Sequence, residues 1–187
     1  MISEMFAHGF IQRAFIGGVL VSLCAALLGV SLVLKRYSMI GDGLSHVSFG
    51  ALSIAIAFGF APIKFSIPIV IIAAFFLLRL AENGKMKSDA AIAMVSASSL
   101  AIGVIVTSLT TGLSTDVCSY MFGSILAMSK DDVIFSVVLS VVVLIMFGFC
   151  YHRIFAVTFD ESFSKATGVK VGMYNTLISI FTAVTVV

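Results

Sequence analysis

Apolar residues come in long runs separated by short polar breaks. Five runs are complete, at about 14–34, 39–60, 65–80, 90–109 and 133–151, and a sixth starts near Val171 and is still apolar at Val187. Each approaches the roughly 20 residues that cross a bilayer as a helix. Backbone polar groups in lipid must be satisfied within the segment, so the runs are predicted helices. Lys35, Arg36 and Tyr37 end the first, and Ala61 and Pro62 break the second. Pro68 falls in the first turns of the third, where a missing N–H costs little. The string TTGLSTDVCSYMFGSILAMSKDD separates the fourth and fifth runs, and its apolar middle, Cys118 to Met128, has eleven residues. That is too short to cross about 30 Å, so a re-entrant half-helix is predicted there, with both ends on one side. Thr115 or Ser114 would cap it, with Asp116 favourable near its N-terminus.

Composition turns these runs into a membrane protein. Of 187 residues, 60% are hydrophobic and 11% charged, against about 25% charged in soluble domains. A secreted disulfide scaffold, a disordered chain and a nucleic-acid binder are excluded, and a net charge of +2 gives no reason to expect a polyanionic partner. Tryptophan is absent, so interfacial aromatics must come from 17 Phe and 4 Tyr. The start, MISEMFAHGF, lacks the basic n-region of a secretory signal. Cys24, Cys118 and Cys150 are far apart and read as small buried apolar residues. His8 and His152 read as interfacial, and Asp131 and Asp132 as caps of the fifth run.

Charge then predicts orientation. With 118–128 re-entrant, Lys35, Arg36, Arg79, Lys85, Lys87, Arg153, Lys165 and Lys170 share one side, and Arg13, Lys64 and Lys130 the other. The larger group marks the cytoplasmic face and puts the N-terminus outside.

The string GDGLSH, inside the second run, holds Asp42 and His46 four residues apart. On a helix they share a face. Ionisable groups inside a span are costly to bury and are functional candidates. A carboxylate beside an imidazole suits a divalent cation such as zinc or manganese. Two ligands are too few, so others must come from this chain, a second subunit or water. Ser45 and Ser48 are placed to hydrogen-bond the His or line a polar path. Gly41 and Gly43 flank Asp42, and Gly50 follows His46 by four, which predicts a broken helix or a close backbone approach. A helix starting at Tyr37 would set Asp42 about 8 Å in. Spacing alone leaves two other uses open: a plain pairing of Asp42 with His46 or a neighbouring helix, and a proton relay.

The longest polar stretch is HRIFAVTFDESFSKATGVKVGMYN. Thr158 and Glu161 fit a capping box, Gly168 is a stop signal, and a helix of about nine residues is predicted between them. Phe159, Phe163 and Ala166 fall near one face, with Asp160, Glu161, Ser164 and Lys165 on the others. So short a helix is marginal alone. It needs a partner surface, which is its own protein, the membrane interface or another protein.

Three segments together, LKRYSMIGDGLSHVSFGALSIA, YMFGSILAMSKDDV and FDESFSKATGV, resemble one family. It is the permease subunits of bacterial ATP-binding-cassette importers for zinc, manganese or iron. The family's GDALSHAVLPGVALA is matched at Gly41, Asp42, Leu44, Ser45 and His46. Its FGxLLxxxxxD stretch is similar to Phe122 through Asp132, and its FDxxxAxxxGV loop to Phe159 through Val169, with Ser164 where Ala is usual. The resemblance implies an all-α polytopic fold, with residues 1–187 as one permease domain. It implies about eight spans of roughly 20 residues each, of which about six are present here, so the C-terminal spans are expected to be missing. It also implies a homodimer with a second permease copy, two cytoplasmic ATPase subunits and an extracytoplasmic metal-binding protein, in the bacterial cytoplasmic membrane. Asp42 and His46 would contact the metal, Gly41, Gly43, Ser45 and Ser48 would line the path, and Phe159, Asp160, Glu161, Phe163, Lys165 and Gly168 would couple to the ATPase. The chain has no Walker A string, so ATP would be bound and hydrolysed on the partner.

The expected function is ATP-driven uptake of zinc or manganese, with iron as a further cargo. A permease for a metal chelate or cobalamin is the alternative within transport, and the buried acid–His pair counts against its wide, uncharged path. A non-transporting membrane fragment is the alternative from another class. An intramembrane metalloenzyme would need a fuller ligand set such as HExxH, which the sequence lacks.

Overall fold

The computed structural model describes residues 9–37, 39–82, 88–110 and 130–187. Seven helices and no strand occur among the described residues. They are α1 (Gly9–Leu34), α2 (Ile40–Ala57), α3 (Pro62–Glu82), α4 (Ser88–Leu109), α5 (Lys130–Phe159), α6 (Glu161–Ala166) and α7 (Val171–Val186). Five of them, α1 to α5, are long and apolar enough to span a bilayer, and α7 is a shorter apolar helix. The polytopic all-helical expectation holds.

Local chemistry sets the boundaries. Tyr37 N–H donates to Leu32 O at 2.8 Å and Arg36 N–H to Val33 O at 3.0 Å, the paired bonds that close a helix around one left-handed residue. That residue is Arg36, at φ 62°, where glycine is usual. The same pair of bonds closes α2 around Gly59, at φ 71°. Pro62 opens α3, where its missing N–H would be unpaired anyway. Because α1 closes at Arg36 and Tyr37, α2 starts at Ile40 rather than Tyr37, and Asp42 falls in its first turn.

Helix directions follow from contacts. Lys35 Nζ lies 4.0 Å from Glu161 Oε2, so the end of α1 meets the start of α6. At the opposite end, Ala61 to Lys64 and Asp131 to Val138 line one cavity. A Cβ built on Gly43 meets Ile92 and one on Gly50 meets Ser99, so α2 and α4 run parallel. Leu109 and Lys130 therefore sit at the same end of the bundle. The predicted half-helix at 118–128 lies between them, outside the described residues. Lys35, Arg36, Arg153, Lys165 and Lys170 gather at the α6 end, and Arg13 and Lys64 at the other, as the charge pattern predicted.

Two apolar clusters form the core. Ile40, Leu44, Val47, Val70, Ala74, Leu77, Ile92 and Ala183 join α2, α3, α4 and α7. Cys24, Leu28, Val143, Phe147, Ile154, Ile178 and Phe181 join α1, α5 and α7. α7 belongs to both and ties the halves together. α2 is the central helix, with 61% of its span buried against 17–28% for the others.

Two expectations are corrected. α5 does not end near Tyr151 but runs to Phe159, because the buried stripe Val143, Phe147, Ile154, Val157 and Thr158 keeps helical spacing through the polar His152 and Arg153. Thr158 therefore lies inside α5 and caps nothing. The cap of α6 is Asp160, and α6 has six residues rather than nine.

Candidate functional site

α2 is unbroken through GDGLSH, so the glycines act by close approach and not by breaking the helix. A Cβ at Gly43 would lie 2.5 Å from Ile92 Cγ2, and one at Gly50 would lie 2.9 Å from the Ser99 carbonyl oxygen. Both glycines let α4 press onto α2, the small-residue contact by which membrane helices approach. Gly41 is different, with nothing within 4 Å of a Cβ there.

That packing divides the predicted path residues. Gly43 and Ser48 are buried inside the bundle. Asp42, Ser45 and His46 share the face of α2 left open by this chain, with Gly41 half-buried at its edge. The His46 Nε2 to Asp42 Oδ2 distance is 3.8 Å, with side-chain exposures of 30% for His46 and 63% for Asp42. This is beyond hydrogen-bond length, so the two side chains do not saturate each other among the described residues. Ser45 Oγ donates to the Asp42 backbone oxygen at 2.7 Å and so turns away from the carboxylate. The first-turn position of Asp42 sets its charge against the positive end of the helix dipole. No third His, Cys, Asp or Glu completes a metal-binding group among the described residues.

The second predicted region is α6 and its flanks. Phe163 N–H donates to Asp160 Oδ1 at 2.8 Å, satisfying one of the free N–H groups at the helix start. Gly168, at φ 81°, takes the left-handed position after the helix. Gly168 N–H donates to Lys165 O at 3.1 Å and Val169 N–H to Ser164 O at 3.0 Å. Ser164 is the residue turned inward, at 1% exposure. Phe159, Phe163 and Ala166 all face away from the protein. The short helix is thus held by its caps and presents the Phe163 ring outward, beside the outward Phe159 ring at the end of α5.

Lys35 and Asn175 were not singled out by the sequence. Lys35 Nζ donates to Asn175 Oδ1 and approaches Glu161, whose Oε1 lies 3.0 Å from Lys165 Nζ. Asn175, Ser179 and Thr182 are buried on α7. Their i, i+4, i+7 spacing in an apolar run is a polar stripe, and that was the available signal.

Comparisons with known proteins agree with this arrangement. Residues 7–187 match the family model described as the ABC 3 transport family. The high-affinity zinc uptake system membrane protein ZnuB of Buchnera aphidicola is 30% identical over 173 residues, covering 92% of this chain and 66% of the relative. The manganese import system permease protein ScaB of Streptococcus gordonii is 28% identical over 171 residues, covering 91% and 61%. Among solved structures, PsaBC from Streptococcus pneumoniae in complex with Fab superposes with a TM-score of 0.81 at 28% identity, covering all of this chain and 69% of that one. The chain spans about two thirds of the length of the curated relatives it matches. With the family match running over nearly its whole length and the fold shared with PsaBC, the chain belongs to the ABC 3 transport family.

Proposed function

We propose that this chain is the membrane permease part of an ATP-driven importer of a divalent metal ion, zinc or manganese, with iron as a further cargo. One observation carries the reading. The most buried helix of the bundle leaves one polar face open, and that face bears Asp42 and His46 with Oδ2 and Nε2 3.8 Å apart. Two ligands on one tetrahedral ion, each about 2.1 Å away, sit roughly 3.4 Å apart, so a small side-chain rotation suffices. The names of the relatives support zinc and manganese as the cargo class.

A second permease copy facing the first would bring two such pairs together and supply four protein ligands. An extracytoplasmic metal-binding protein would deliver the ion. The Asp42 carboxylate and the neutral imidazole of His46 replace part of its water shell, and Ser45 and Gly41 border the path. Each copy contributes only two ligands, so parting the two copies halves the set and releases the ion, as conduction requires. ATP is hydrolysed on separate cytoplasmic subunits. The outward rings of Phe159, at the end of α5, and of Phe163, on the α6 helix fixed by Asp160 and Gly168, are the docking points for that stroke. Glu161 and Lys165 brace the helix through their ion pair. Gly43 and Ser48 serve the path indirectly, by packing α2. A path for a chelate would present a wide, uncharged wall, and a carboxylate on the open face disfavours it.

The test is metal accumulation, by elemental analysis, in cells lacking their own zinc and manganese importers. They would express the full-length permease with its ATPase and binding protein. Uptake of one metal by the wild type, abolished in Asp42→Asn/His46→Ala at equal membrane abundance, is the expected result. A double variant that accumulates metal as well as the wild type overturns the assignment.

A further inference from the structure

The Lys35 side chain is only 8% exposed, yet it ends a membrane-spanning helix where a lysine could reach water. It turns inward instead. Its Nζ donates to Asn175 Oδ1 on α7 and lies 4.0 Å from Glu161 Oε2 on α6. Asn175 is 2% exposed. Tyr37, Glu161, Lys165, Gly172 and Asn175 line one polar cavity around this junction. One ammonium group thus joins the end of α1, the start of α6 and the first turns of α7.

The next residues make the junction stiff. The chain passes from Lys35 through the left-handed Arg36, and Tyr37 N–H bonds back to Leu32 O at 2.8 Å. Ile40 N–H then donates to Tyr37 O at 3.1 Å, and Gly43 N–H to Met39 O at 3.0 Å. Asp42 is seven residues from Lys35 in sequence, and the bond from Ile40 N–H to Tyr37 O ties the end of α1 to the start of α2.

We infer that Lys35 is a positioning residue that transmits movement of the α6 segment to the first turn of α2, and so to Asp42 and His46. The inference rests on the proposed reading of α6 as the coupling segment. Three features separate it from a surface ion pair. The ammonium is buried, its partners lie on two other elements, and its backbone adjoins the candidate site. Buried, hydrogen-bonded charge holds a geometry that exposed pairs do not.

The test uses the full-length permease with its ATPase in proteoliposomes, with radioactive zinc and manganese as probes. Lys35→Met should still bind the ATPase and hydrolyse ATP at close to the wild-type rate, while metal moved per ATP falls about fivefold or more. The conservative exchange Lys35→Arg keeps a buried cation that can donate to Asn175 Oδ1 and should hold more than half of the wild-type ratio. Amide hydrogen exchange over 161–169 should quicken about tenfold in Lys35→Met. Should Lys35→Met not fold into the membrane, Asn175→Ala leaves both charges in place and should lower the same ratio. A wild-type ratio of metal to ATP in Lys35→Met or Asn175→Ala overturns the inference, as does unchanged exchange over 161–169. A parallel loss of ATPase binding and transport also overturns it, since that is a purely structural role. If the wild type moves neither metal, the proposed function fails, and the exchange measurement still decides the strut.

Discussion

Replacing Gly50 by alanine tests the contact between α2 and α4. The new Cβ would stand 2.9 Å from the Ser99 carbonyl oxygen and 3.6 Å from its carbon. Carbon contacts are favourable only from about 3.5 Å outward, so the helices must part by about 0.5 Å. The obstacle is backbone, which cannot turn aside as a side chain does. Inserting a methyl group into a packed interface costs about 1–3 kcal/mol, and alanine returns about 1 kcal/mol of helix propensity over glycine. The net loss is about 0–2 kcal/mol, and against a glycine-to-alanine control that gains the propensity alone the gap is about 1–3 kcal/mol. At about 2–4 °C per kcal/mol for a domain of this size, Gly50→Ala should melt about 2–12 °C below that control. Gly148→Ala is the matched control, because a Cβ there meets nothing within 4 Å. The assay is heating of the detergent-solubilised full-length permease, followed by size-exclusion chromatography of what remains monodisperse. A Gly50→Ala protein as stable as Gly148→Ala would refute the close-packed interface and the account of why α2 carries its glycines.

Other consequences are smaller and separable. Asp160→Ala removes the bond to Phe163 N–H and should cost α6 about 1 kcal/mol, read as faster amide exchange in 161–169. Thr158→Val should leave that exchange unchanged, since Thr158 lies inside α5 and its buried Oγ1 has no hydrogen-bond partner among the described residues. Ser164→Ala should hold or raise the thermal midpoint, because the buried Ser164 Oγ also lacks a partner there and burying an unpaired hydroxyl is unfavourable.

Much of this protein is written in local patterns. Run length and the absence of charge determined the spanning helices, because lipid leaves the backbone no other way to satisfy its N–H and C=O groups. The charged flanks predicted which helix ends lie together, and Lys35 beside Glu161 bears that out. The four-residue spacing of Asp42 and His46 was enough to put them on one face, since helix geometry depends only on the backbone. Gly168 announced the end of α6 for the same reason, as its left-handed conformation is a local matter. The tertiary structure decided what local rules leave open. Whether glycine breaks α2 or packs it depends on Ile92 and Ser99, about 50 residues away. Whether Ser48 joins the polar face depends on which side α3 and α4 cover. α5 runs past Arg153 because Ile154 and Val157 find a core to enter, which a drop in hydropathy cannot show. The inward turn of Lys35 needed Asn175, 140 positions along the chain. Apolar periodicity is a property of one helix, but the burial of a particular polar atom is a property of the helices that close around it.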